Sequence, residues 1–203
     1  AHPGPPEAPP EVVAYVGATA SPPPTGLLAD LTQQGVQALV LVGDAVPASH
    51  PRAWTQVSKR WESLPALDVV GPGERRGDPD LLGRSAVWPG SPTWGSWPVG
   101  NHRLVWLDTT DPVDQRFWLP KGGTASKDGA VVVALGEPSA SLESQVFDAV
   151  DAAAMALLVR GSAAGNSASL PNGRWSYLVL DVGPTSGGVS AWIPGGESFH
   201  DAL

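Results

Sequence analysis

The chain has 203 residues, a formal net charge of −8, 42% apolar residues and no cysteine. This length and apolar content suffice for one sizeable core or two small ones, and a single α/β domain is the economical reading. Disulfides, thiolate zinc sites and a cysteine nucleophile are excluded. Acidity without a run of Lys or Arg argues against a nucleic-acid or anionic-membrane surface, because both need clustered basic groups.

Residues 1–11, "AHPGPPEAPPE", contain five prolines and read as an extended, semi-rigid tether. They start with Ala and hold no apolar signal core. The start is either a processed terminus or the edge of an excised piece, and a tether at a mature N-terminus would suit an extracytoplasmic protein, secreted or lipid-anchored. From residue 12 onward the pattern becomes that of a packed domain, expected over 12–197, with 198–203 as a tail.

"VVAYVGATA" reads as a buried strand entering a turn. "LLADLTQQG" has Leu27, Leu28 and Leu31 at helical spacing, with Gly35 as its stop. "VQALVLVGD" is near-continuously aliphatic, as parallel strands covered on both faces are. In "SHPRAWTQVSKRWESL", Pro51 sits in a first helical turn, and Trp54, Val57, Trp61 and Leu64 share one face. "ALDVVG" is the third strand. Strand, helix, strand, helix, strand is the signature of a parallel α/β arrangement.

Residues 74–100 are rich in Gly, Pro and Trp and read as a surface excursion with short edge strands. "HRLVWLDT" is a strand and "DQRFWLP" a short helix. "GAVVVALGEP" is a strand, and "SLESQVFDAVDAAA" a helix capped by Ser141 with Glu143 in its first turn. "MALLVRG" is a strand, and "RWSYLVLDVG" with "GVSAWIPG" a hairpin-like pair. With no run of about 18 apolar residues, no membrane-spanning helix is expected.

The order of these segments resembles the calcineurin-like metallophosphoesterase superfamily over roughly residues 12 to 195. The resemblance implies a four-layer α/β/β/α sandwich: two mixed sheets flanked by helices, with metals held by loops at the C-terminal ends of strands. "YVGATA" stands where the D-x-H box belongs, with Ala18 for the Asp and Ala20 for the His. "LVLVGD" is the GD box and keeps Asp44. "VVGPGE" holds the GNH[DE] position, with Pro72 for the metal-binding Asn, Gly73 for the catalytic His, and Glu74 retained. "VVVALGEP" places Gly136 where a ligand His is expected. "ALLVRGSAAGN" places Ser162 and Ala164 in the two His positions of G-H-x-H.

Enzymes of this family clamp phosphate between two divalent metals that acidify a bridging water, held by imidazole and carboxylate donors. Alanine, proline, glycine and serine supply neither group. The resemblance therefore implies a degenerate member with no metal, no cofactor and no catalytic residues. His2, His50, His102 and His200 show no metal-ligand spacing among themselves. A hard-cation site from Asp44, Glu74 and Glu137 would need further oxygen donors that their Pro and Gly neighbours lack. The structural role for Asp44 is a strand-end carboxylate accepting backbone N–H bonds. The G-x-S-x-G elbow, P-loop and G-x-G-x-x-G turn are all missing from the sequence.

The expected function is thus a pseudoenzyme scaffold for structural work or for binding another protein. Trp88, Trp94 and Trp97 are candidate interface anchors, or else they cover one end of the core. The alternative is a metal-dependent phosphoesterase with a remodelled or single-metal site. A generic α/β binding module is the third reading, and a single doubly wound sheet would be its mark.

Overall fold

The computed structural model describes residues 8–17, 27–43, 45, 51–89, 91–100, 102–111, 131–136, 141, 144, 155–160, 177–181, 188–193 and 197–201. Its elements are β1 (Val12–Gly17), α1 (Leu27–Gln33), β2 (Ala38–Gly43), α2 (Pro51–Arg60), β3 (Ala66–Val70), α3 (Pro72–Gly77), α4 (Leu82–Val87), β4 (Gly95–Val99), β5 (His102–Leu107), β6 (Val131–Leu135), β7 (Met155–Arg160), β8 (Tyr177–Asp181), β9 (Gly188–Ile193) and β10 (Glu197–Asp201). The expected helices over 114–120 and 141–154 lie outside the described residues, save Ser141 and Ser144, which are helical and exposed.

The first half of the domain forms as its patterning predicts. α1 ends in a Schellman motif: the Val36 N–H donates to the Leu31 carbonyl and the Gly35 N–H to the Thr32 carbonyl, each at 3.0 Å. Gly35 adopts φ +75°, which explains a glycine at this stop. β1, β2 and β3 pair in parallel, and every side chain of β2 and β3 is buried.

The strands form two mixed sheets, not one doubly wound sheet. The larger has the order β10-β9-β8-β1-β2-β3, and the smaller β4-β5-β6-β7. In the larger, β8, β9 and β10 continue antiparallel from β1. The segment read as a tail from residue 198 is therefore mostly strand: β10 pairs with β9 and carries His200 opposite Ser190. The expected pair of β8 and β9 is one turn of a longer meander. In the smaller sheet β4 is antiparallel to β5, and β5, β6 and β7 are parallel.

Alternation along the strands decides what each face of the larger sheet buries. Ala14, Val16, Leu39, Leu41 and Ala66 pack with Leu27 and Leu31 of α1, Trp54 and Val57 of α2, Trp61, and Val87 and Trp88 at the end of α4. The opposite face sends Val13, Tyr15, Val40, Val42, Leu67 and Val69 against Trp97, Leu104, Trp106 and Ala134 of the smaller sheet. The order is thus helices, larger sheet, smaller sheet. Val105, Leu107, Val133 and Leu135 alternate with the residues facing the larger sheet, and they too are fully buried.

Residues 74–100 supply the expected short edge strand, β4 of the smaller sheet, but the rest is not the surface excursion that their Gly, Pro and Trp content suggests. They form α3, α4 and β4 and bring four aromatic and charged groups into the core: Trp88, Trp97, Glu74 and Arg84 are all buried. The composition misleads because glycine here serves close packing. A Cβ on Gly83 would overlap the Trp54 indole, and one on Gly95 would come within 2.9 Å of the Trp106 ring. Trp54 and Trp88 then meet edge to face, with ring centroids 5.8 Å apart.

α4 starts from a tight turn in which the Leu81 N–H donates to the Asp78 carbonyl at 2.8 Å. The Asp78 carboxylate accepts the Leu82 and Gly83 N–H groups at 3.0 and 2.8 Å. These bonds, with burial of the Leu81 side chain, hold Leu81 at φ +51°, where a bulky residue is strained.

Candidate functional site

The C-terminal ends of β1, β2, β3, β6 and β7 are where the sequence reading looks for a site. At the end of β3, Gly71 is the N-cap of α3, followed by Pro72, Gly73 and Glu74 as its first three residues. Proline fits the first helical position because the N–H it lacks has no helical partner there. Glu74 is fully buried, and its carboxylate reaches back to accept the Gly71 N–H at 2.9 Å. It does the work of a capping carboxylate, satisfying a helix-start donor.

Gly136 follows β6, directly beyond Leu135, and is buried. A Cβ at this position would overlap the Val70 carbonyl oxygen, lie 2.7 Å from the Val70 carbonyl carbon and 3.2 Å from the Gly71 Cα. The β3–α3 corner thus occupies the space a side chain at 136 would need. Because the obstacle is backbone, an imidazole there would require the corner to move.

Asp108 follows β5 and is fully buried. Its Oδ1 accepts the Thr110 N–H at 2.9 Å and the Thr110 hydroxyl. Its Oδ2 accepts Nη2 of Arg75 at 2.5 Å. Arg75 also donates Nε to the Thr110 hydroxyl at 3.2 Å and Nη1 to the Pro79 carbonyl at 3.0 Å.

A second ion pair lies deeper. Arg84 of α4 donates Nε to Oδ2 of Asp68 at 2.7 Å and Nη2 to the Asp68 carbonyl at 3.0 Å. Its Nη1 reaches the Ser91 carbonyl at 2.8 Å. β3 is the edge strand of the larger sheet, and Arg84 covers a carbonyl of that edge.

Of the sequence-predicted site residues, Pro72, Gly73, Glu74 and Gly136 come together at one corner. Asp44, Ala18, Ala20, Ser162, Ala164 and Glu137 lie outside the described residues, as do His2 and His50. His102 and His200 begin β5 and sit within β10, in different sheets. Among the described residues, no group of three or more His, Asp or Glu could hold a metal ion. Trp88 and Trp97 are 3% and 8% exposed and their rings pack in the core, which agrees with the reading that they cover the core and not with interface anchors at those two positions; Trp94 is half-buried.

The residues that sequence reasoning passed over are Arg75, Asp108 and Thr110, and the pair Asp68 and Arg84. Two signals were available. A charge inside the apolar strand "ALDVV" demands a buried counter-charge. Asp followed two residues on by Thr, in "LDTT", is a side-chain turn signal.

No protein-family model matches this chain, and no curated protein is similar to it in sequence.

Proposed function

We propose that the chain is a catalytically inactive scaffold of the calcineurin-like metallophosphoesterase type, a pseudoenzyme that serves as a structural or protein-binding module. The observation that carries this reading is the closure at Gly136. The position where the family would place a ligand His has neither a donor nor room for one, because the backbone of Val70 and Gly71 fills it. Pro72 and Gly73 offer no donor side chains, and Glu74 is turned to its own helix start. The residues present do not fit a pair of divalent metals.

Two mixed sheets face to face, with helices on the outer face of the larger one, support the family reading. So does the complete burial of Val105, Leu107, Val133 and Leu135 on the outer face of the smaller sheet. That face needs a cover, and a further helical layer would complete the α/β/β/α sandwich. Among the described residues no helix is long and apolar enough to cross a membrane. In this reading the module works outside the cytoplasm and engages another protein.

Metal analysis of the purified protein, with turnover of a generic aryl phosphate, tests the proposal. The expected result is substoichiometric transition metal and no turnover above background. Near-stoichiometric Mn, Fe or Zn, with turnover that Asp44→Asn abolishes, would overturn it in favour of a phosphoesterase with a remodelled or single-metal site.

A further inference from the structure

Open α/β sheets leave a crevice outside the carboxyl ends of their strands, and ligands bind there. In this chain that end is bridged from both sheets. We infer that Arg75 is the resident cation of this edge: it neutralises the buried Asp108 and, with the close approach of Gly136 to Val70, clasps the two sheets together.

The charge argument comes first. Asp108 is fully buried, and a carboxylate out of water is costly unless paired and hydrogen-bonded. Its two oxygens are met by Arg75 and by Thr110. The Arg75 side chain is 29% exposed, so it meets Asp108 from the solvent side of the edge. Its three nitrogens are all engaged, with Thr110, Pro79 and Asp108. A planar guanidinium holds such a set in one geometry, which a flexible ammonium would not.

The connectivity argument is independent of charge. Arg75 belongs to the chain leaving β3 in the larger sheet, and Asp108 to the chain leaving β5 in the smaller. Leu107 and Leu135 are paired in register, so Asp108 and Gly136 leave neighbouring strands side by side. Both reach the same β3–α3 corner, one by an ion pair and one by backbone contact. The result is a closed edge, fastened by a side-chain cation. The clasp rests only on these contacts and not on the family reading, so the metal assay and the following test can fail separately.

The test is a double-mutant cycle on Arg75→Met and Asp108→Asn, read by urea unfolding of the full chain and by hydrogen exchange at single amides. Arg75→Met should raise the unfolding equilibrium constant about tenfold. Asp108→Asn should then cost at least about threefold less in the Arg75→Met background than in wild type. If Asp108→Asn does not fold, Thr110→Val replaces it, because Thr110 accepts from the same guanidinium. The amides of Gly71 and Thr110, on chains leaving different sheets, should lose protection together in Arg75→Met. Independent, multiplying effects in the cycle, or loss of protection at Thr110 with Gly71 unchanged, would overturn the clasp.

Discussion

The two faces of the six-stranded sheet are held by different means. On the helical side, Asp68 and Arg84 are 16 positions apart, joined within one strand-to-helix excursion. Both side chains are out of water, at 0% and 2% exposure. On the side of the smaller sheet, Asp108 and Arg75 are 33 positions apart and follow strands of different sheets, with the arginine partly in solvent. The first pair seals a layer that its neighbours in sequence already define. The second joins layers that only the complete chain brings together. An ion pair contributes differently in these settings: removing one partner of a sealed pair strands a buried charge, whereas at a wet edge water can take over part of the work.

The strongest way to break this contrast is Gly136→Ala. The new methyl would meet the Val70 backbone, so the sheets must separate locally, and a loss above about 4 kcal/mol is expected. Chemical denaturation checks it, with Gly35→Ala as the control. That change strains a positive φ in open space and should cost only about 1 kcal/mol.

Next in size is Arg84→Met, which leaves Asp68 buried without its cation and should cost about 3–5 kcal/mol in urea unfolding. Adding Asp68→Leu should return most of that loss. If it returns nothing, the pair is not what seals the helical side. Arg75→Met is expected to be milder, about 1–2 kcal/mol, because solvent reaches its side chain. Equal losses at Arg75 and Arg84 would erase the distinction between edge and interior.

The smallest change is Tyr15→Phe. The Tyr15 hydroxyl is buried between the sheets, and among the described residues nothing bonds to it. Removing it should stabilise the fold by up to about 1 kcal/mol. Burial raises its pKa above the ordinary 10.0, because the charged phenolate is disfavoured there. The unfolded chain therefore loses this proton first. Unfolding then releases this proton, so the wild type loses stability as pH rises above about 10, the unfolded value. Thermal melts from pH 8 to 11 should show Tyr15→Phe losing less stability than wild type.

Much of the larger sheet was legible in advance. β1, β2 and β3 are aliphatic runs bounded by Gly, and α1 and α2 carry their apolar residues at helical spacing, so local pattern and final burial agree. Over 74–100 the edge strand β4 was legible, but the burial was not, because Gly and Pro signal turns in isolation, yet Gly83 and Gly95 are small in order to lie against Trp54 and Trp106. The C-terminal strand β10 was missed because "ESFHD" has little apolar content. As the edge of the sheet it draws on backbone pairing with β9 more than on pattern.

The amino-acid sequence alone determined which segments bury themselves, because the spacing of apolar residues is a local property that any compact state must respect. It also determined that Pro72, Gly73 and Gly136 carry no imidazole or carboxylate, since no fold changes the chemistry of a side chain. Only the tertiary structure decided that the edge is shut: the meeting of Gly136 with Val70, and of Arg75 with Asp108, joins strands of separate sheets. Contacts of that range depend on packing and register, which no single stretch of residues encodes.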